Sequence, residues 1–164
     1  MNMYKNVVLC AMIVMMMPGC NWFSGSSEPV RLRLVNVLDL ATFKDAHIKG
    51  GKSVESVQVD FNDLEKNTAQ WDKTVPVVVY CSNYFCTASG DAARKLQELG
   101  FLNVYAYEGG IAEWYQMSLK NSIYQVEGKA EKPYLKIEVK KPHKDHQGIR
   151  VITAQELQAM IVKE

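Results

Sequence analysis

Val77-Val78-Val79-Tyr80-Cys81-Ser82-Asn83-Tyr84-Phe85-Cys86-Thr87-Ala88-Ser89 runs without interruption into Gly90-Asp91-Ala92-Ala93-Arg94-Lys95-Leu96. Four β-branched or aromatic residues in succession predict a buried strand of a parallel sheet, and the Ala/Arg/Lys/Leu run after Ser89 predicts a helix. Cys81 therefore stands where a strand ends and a loop winds into a helix N-terminus. Free backbone N–H groups and the positive end of the helix dipole favour an anion at such a place. A thiol there is drawn from ~8.5 down to roughly 3.5–7.5, which makes it a nucleophilic thiolate at neutral pH. A buried structural cysteine is the alternative. The carboxyl end of a strand, however, is where open α/β sheets usually place their chemistry.

Outward from this stretch, strands and helices alternate. Arg31 to Asp39 predicts a first strand, Leu40 to Ala46 a short helix, and His47 to Gly51 a turn into a strand over 54–59. Asp63 to Lys66 has helical character, and Asp72-Lys73-Thr74-Val75-Pro76 is a turn into the central strand. The helix after the Cys81 loop spans 88–99 and is stopped by Gly100, a natural residue just past a helix end. Asn103 to Tyr107 predicts a strand, Glu108-Gly109-Gly110 a turn, and Ile111 to Met117 a helix. Such alternation at short spacing implies a parallel sheet covered on both faces. Tyr124 to Gly128 and Pro133 to Leu135 are expected to run across the domain surface.

The chain has 164 residues, 48% of them hydrophobic and 23% charged, which suffices for one domain with extensions. A net charge of +1 provides no global field for nucleic acid. The N-terminus has its own character: Lys5 precedes the apolar run Val7 to Met17, followed by Pro18-Gly19-Cys20. That run is too short to span a bilayer, which takes ~20 residues, and has the form of a secretory signal. Gly19-Cys20 resembles a bacterial lipobox, in which the cysteine is lipidated and becomes the new terminus. Residues 1–19 are then a signal peptide and 20–30 a lipid-anchored flexible tether. An ordinary signal peptide or an uncleaved anchor is the competing reading. Lipidation at Cys20 would hold the domain on a bacterial membrane, facing the periplasm or exterior. In that oxidising compartment only Cys81 and Cys86 would remain as thiols.

Five segments then fall in order: Asn36-Val37-Leu38-Asp39, Ala46-His47-Ile48-Lys49-Gly50, Val79-Tyr80-Cys81, Leu99-Gly100-Phe101-Leu102-Asn103-Val104-Tyr105, and Glu108-Gly109-Gly110-Ile111-Ala112-Glu113-Trp114. Together they resemble the successive signatures of the rhodanese-like domain. The resemblance implies a single α/β domain over 31–118, with a central parallel sheet flanked by helices. It also implies a cysteine that takes a sulfane sulfur from a donor such as thiosulfate and passes it to a thiophilic acceptor. By that match Cys81 is the persulfide-forming nucleophile, and Ser82, Asn83, Tyr84, Phe85, Thr87 and Ala88 belong to the loop whose N–H groups would cradle the anion. The implied partners are a small sulfur-containing anion and a thiol acceptor, with no metal or organic cofactor and no nucleic acid; nothing in the residues specifies a protein partner. His47 matches a common His-Ile pair of the family and is read as structural.

The chain departs from the family's usual pattern in its loop. Ser82 to Ser89 contains no basic residue, where active members usually carry arginine, and the loop is about two residues longer. Cys86 lies in the same loop and offers a resolving thiol that would close a disulfide with Cys81; a small buried hydrophobe is the alternative. Three function classes therefore stand side by side: a sulfurtransferase, an exported thiol-disulfide protein using both cysteines, and a catalytically inactive binding module.

Residues 119–164 form a C-terminal extension. His143 and His146 lie in a lysine-rich run read as a solvated loop. In Val151-Ile152-Thr153-Ala154-Gln155-Glu156-Leu157-Gln158-Ala159-Met160-Ile161, Thr153 and Glu156 make a capping box, and Leu157, Met160 and Ile161 share a helical face. The stretch resembles the Ile-Thr-x-x-Glu-Leu segment that usually begins a rhodanese-like domain and that is missing before Arg31. It is expected to dock where that segment would lie, with a truncated second domain as the alternative.

Overall fold

A computed structural model describes residues 28–137 and 148–163. In chain order the elements are β1 (Leu32–Asn36), α1 (Leu40–Asp45), β2 (His47–Ile48), β3 (Val54–Gln58), a 3-10 turn (Phe61–Asp63) leading into α2 (Leu64–Thr68), β4 (Val77–Tyr80), α3 (Ala88–Glu98), β5 (Val104–Tyr107), α4 (Gly110–Ser118), β6 (Val126–Glu127), a second 3-10 turn (Pro133–Lys136), β7 (Arg150–Val151) and α5 (Ala154–Val162). The main sheet has the order β3-β1-β4-β5-β7 and every pairing in it is parallel.

Side chains alternate across a strand, so each strand feeds two cores. Leu34, Val78, Tyr80 and Tyr107 point to one face, where Ile111 and Trp114 of α4 and Leu157 of α5 cover them. Val35, Val77, Val79 and Ala106 point to the other, under Leu64 of α2 and Ala92, Ala93 and Leu96 of α3. Cys81 continues this second face. All four residues of β4 are fully buried, as a strand in the middle of a two-sided parallel sheet must be.

Local chemistry sets the element ends. β1 stops at Asn36, slightly short of the end near Asp39 expected from sequence, and the Asp39 carboxylate caps α1: it accepts the Thr42 N–H at 2.9 Å and the Thr42 hydroxyl at 2.6 Å. Those bonds hold the Asp39 carboxyl below its usual range. α3 ends at Gly100, whose φ of +91° lets its N–H bond back to Gln97 while Phe101 bonds to Leu96.

The segment after α4 departs from expectation. Rather than crossing the surface, it re-enters the core: Leu135 has 0% exposure, and Tyr124 is buried edge-on against Trp114 at 5.0 Å between centroids. Val126–Glu127 pairs antiparallel with His47–Ile48, and Gln116 of α4 donates to the carbonyls of Leu135 and Ile137. His47 is fixed there by Phe43, which stacks on its ring at 4.0 Å and accepts its Nδ1–H at 2.9 Å through the backbone carbonyl.

The C-terminal strand and helix finish the sheet edge. β7 lies beside β5, and the Ile152 N–H donates to the Ala106 carbonyl at 3.0 Å. Thr153 and Glu156 cap α5 reciprocally, at 3.2 Å from the Glu156 N–H to the Thr153 hydroxyl and 2.8 Å from the Thr153 N–H to the Glu156 carboxylate. At the other end of α5, the Arg31 guanidinium donates to the carbonyls of Met160 and Ile161, which the helix leaves without partners of its own. Among the described residues no helix is long and apolar enough to cross a membrane.

Leu157→Ala is expected to destabilise the fold by about 3 kcal/mol through loss of buried contacts. Thr153→Ala is expected to cost about 1 kcal/mol through loss of the cap. Both are measured as shifts of the urea unfolding midpoint; two negligible shifts would mean that α5 lies outside the cooperative unit.

Candidate active site

β4 stops at Tyr80, and Cys81 is the first residue beyond the sheet. The turn between β5 and α4 clamps the loop that starts there. Ile111 N–H donates to the Cys81 carbonyl at 3.0 Å and Ala112 N–H to the Ser82 carbonyl at 2.9 Å. The first turn of a helix has such N–H groups to spare. Gly110 makes the approach possible: its φ is +60°, and a Cβ there would sit 2.5 Å from the Cys81 carbonyl oxygen.

Tyr84 ties down the middle of the loop. It is buried, and its hydroxyl donates to both oxygens of Glu113 on α4, at 3.0 and 3.1 Å; Tyr107 donates to the same carboxylate at 2.9 Å. Burial and the adjoining Glu113 push the Tyr84 hydroxyl up, so it serves as a neutral donor. Asn83 shapes the bend, accepting the Phe85 N–H on its side-chain oxygen and the Cys86 N–H on its carbonyl, both at 3.0 Å.

The two thiols have unlike surroundings. Cys81 is 0% exposed, and its Sγ faces acceptors: the Cys86 carbonyl at 3.6 Å, the Asn83 carbonyl at 3.9 Å and the Ser89 hydroxyl at 3.7 Å. The hydrogen bond its S–H gives to Cys86, together with burial, holds the Cys81 thiol well above its ordinary value. Cys86 is half-buried, and its sulfur receives the Cys81 S–H, the Ala88 N–H at the head of α3, and the N–H and hydroxyl of Ser82. These donors bring its thiol down to about 6. Thr87, at the N-cap of α3, makes no side-chain capping bond, and the Cys86 sulfur takes the helix-end donor instead.

The sequence reading placed the depressed pKa at Cys81; the structure places it at Cys86. The difference is one of direction, because the loop turns its carbonyls toward the first sulfur and its donors toward the second. Of the six loop residues read as a cradle, Ser82 and Ala88 supply donors to Cys86, while Asn83 and Tyr84 hold the loop's shape. Phe85, 66% exposed, and Thr87 face solvent. No lysine or arginine lies between Ser82 and Ser89.

Glu113 is the residue that sequence reasoning missed in this role. It stands within one of the quoted segments, yet nothing local to it announces two tyrosine partners 29 and 6 positions away. Cys20, His143 and His146 lie outside the described residues. Among the described residues no group of three or more His, Cys, Asp or Glu is placed to hold a metal ion.

With this geometry in hand, comparison with known proteins is direct. The family model for the rhodanese-like domain matches residues 21–117. The thiosulfate sulfurtransferase GlpE of Shewanella oneidensis is 30% identical over 90 residues, which cover 55% of this chain and 82% of that protein. The thiosulfate sulfurtransferase GlpE of Pseudomonas savastanoi pv. phaseolicola is 36% identical over 81 residues, 49% of this chain and 70% of that one. Among solved structures, the crystal structure of the BH2092 protein of Bacillus halodurans superposes with a TM-score of 0.51 at 27% identity, covering 61% of this chain and 66% of that one. A parallel β3-β1-β4-β5-β7 sheet with a cysteine at the carboxyl end of its central strand, together with these matches, makes the chain a member of the rhodanese-like domain family.

Proposed function

We propose that the chain is a sulfurtransferase that takes a sulfane sulfur from a small donor such as thiosulfate, stores it as a persulfide on Cys81, and gives it to a thiophilic acceptor. The observation that carries this reading is the position of Cys81, one residue past a fully buried central strand, with its sulfur 3.6 Å from the carbonyl of a second cysteine in the same loop. Its kinship with sulfurtransferases of the GlpE type supports it further.

The overall transfer is redox-neutral. The S–S bond of thiosulfate breaks, sulfite leaves with the bonding electron pair, and the outer sulfur ends bonded to Cys81 as Cys81–S–S⁻. An acceptor thiolate or cyanide then attacks that outer sulfur and releases the Cys81 thiolate. Turnover from thiosulfate to cyanide, read as thiocyanate formed, is expected to fall by more than about a hundredfold in Cys81→Ser, because the residue that carries the intermediate is gone. Unchanged turnover in that variant would remove Cys81 from the mechanism.

A second reading has one observation in its favour, the placement of both cysteines in one loop with the Cys81 sulfur 3.6 Å from the Cys86 carbonyl. Oxidation of that pair to a disulfide makes a thiol-disulfide protein. A purified chain that is lighter by two hydrogens, regains them with dithiothreitol and takes no sulfur from thiosulfate would establish it in place of sulfur transfer.

The address of the protein is part of the same proposal. Gly19-Cys20 after an apolar run supports lipidation at Cys20 and a place in the cell envelope, with the domain facing the periplasm or exterior. Labelled palmitate is expected to enter the chain in a bacterial host and to be lost in Cys20→Ala, which should leave the membrane fraction; labelling retained in that variant would contradict the assignment.

A further inference from the structure

Two sulfurs share one loop but meet solvent unequally. Cys81 is closed off entirely, whereas Cys86 is half-buried beside the exposed Phe85. Their donors differ in the same sense. Carbonyls of Asn83 and Cys86 face the inner sulfur, and the Ala88 N–H with the N–H and hydroxyl of Ser82 face the outer one. A sulfur donor arriving from solvent therefore meets an accessible, donor-ringed thiol before it can meet a buried, protonated one. The inner sulfur lies 3.6 Å from the carbonyl of Cys86, so the two cysteines are in contact within the loop.

We propose that Cys86 is the thiol that reacts with the sulfur donor, and that it passes the sulfane sulfur inward to Cys81, where the persulfide is stored out of water. This rests on the persulfide reading above and assigns its entry step. In the first step the Cys86 thiolate attacks the outer sulfur of thiosulfate, the S–S bond breaks and sulfite leaves, giving Cys86–S–S⁻. In the second, Cys81 gives up its proton to the Cys86 sulfur and attacks the outer sulfur of Cys86–S–S⁻. The new S–S bond forms on Cys81 as the old one breaks, leaving Cys81–S–S⁻ and the Cys86 thiol. One sulfur and one proton have exchanged places, charge is conserved, and no oxidant or reductant is consumed.

The unsubstituted chain provides the first test without risk to folding. Limiting iodoacetamide, followed by peptide mass analysis, should modify Cys86 first, with a pH midpoint of about 6; alkylation of Cys81 first would overturn the proposal. Brief thiosulfate pulses on Cys81→Ser and Cys86→Ser give the second. Cys81→Ser should gain one sulfur at Cys86. Cys86→Ser should load Cys81 more than about tenfold more slowly at neutral pH, since each unit of thiol pKa is about a factor of ten in thiolate. Its residual loading should rise only in alkaline solution, whereas loading of the unsubstituted chain should rise through pH of about 6 and then level off. Loading of Cys86→Ser at the unsubstituted rate, or no sulfur on Cys81→Ser while the unsubstituted chain loads, would refute the entry role. A chain that takes no sulfur in any form, from thiosulfate or from glutathione persulfide, would refute the persulfide reading itself, and that result is distinct from the others.

Discussion

The constraint that governs this molecule is the burial of β4 on both faces. A strand with no exposed residue cannot hydrate its own end, so the carbonyls of Cys81 and Ser82, the first beyond the ladder, need partners within the protein. They find them in the N–H groups of Ile111 and Ala112. The β5–α4 turn is consequently pressed onto the base of the cysteine loop, and only a residue without a Cβ fits at Gly110. Sheet, turn and loop are thus one mechanical unit. The position of the candidate sulfur follows from backbone satisfaction before any chemistry is considered.

The same economy governs the charged groups. A carboxylate enclosed next to the loop would be costly alone, but Glu113 accepts hydroxyl hydrogens from Tyr84 and Tyr107 and so holds the loop to α4. Tyr80 makes an analogous link on the same face of the sheet, accepting the Ile48 N–H at 3.2 Å; full burial raises its own ionisation to about 12, which keeps it neutral. None of the three tyrosines need touch a substrate to matter. Each fixes the backbone from which the two thiols hang.

Much of this was legible in the residues alone, and the reason differs by element. Val77 to Tyr80 declared itself by composition, α3 by its Ala/Leu spacing and Gly100, and α5 by a reciprocal cap three residues apart; all are signals confined to a few neighbouring positions. Tyr124, Val126, Tyr134 and Leu135 carry no period, since the segment packs as an irregular return over α4, and their burial was not visible. The loop shows the sharpest limit. Sequence established that two cysteines and a helix N-terminus occur together, but which thiol faces N–H groups and which faces carbonyls depends on peptide orientation, and no side-chain pattern encodes it. Glu113 likewise depends on partners brought together only by the fold.

The bond from Arg31 to the carbonyls of Met160 and Ile161 joins residues 129 and 130 positions apart. The first strand of the sheet is therefore secured by the last helix of the chain. β5 has an open edge until Arg150 and Val151 pair with it, and the guanidinium of Arg31 has no helix end to grip until α5 forms. Contacts of such sequence separation raise the contact order of the fold and slow its cooperative transition. The guanidinium acts as a clasp between two distant stretches of sequence: whatever loosens the end of α5 also loosens the start of β1.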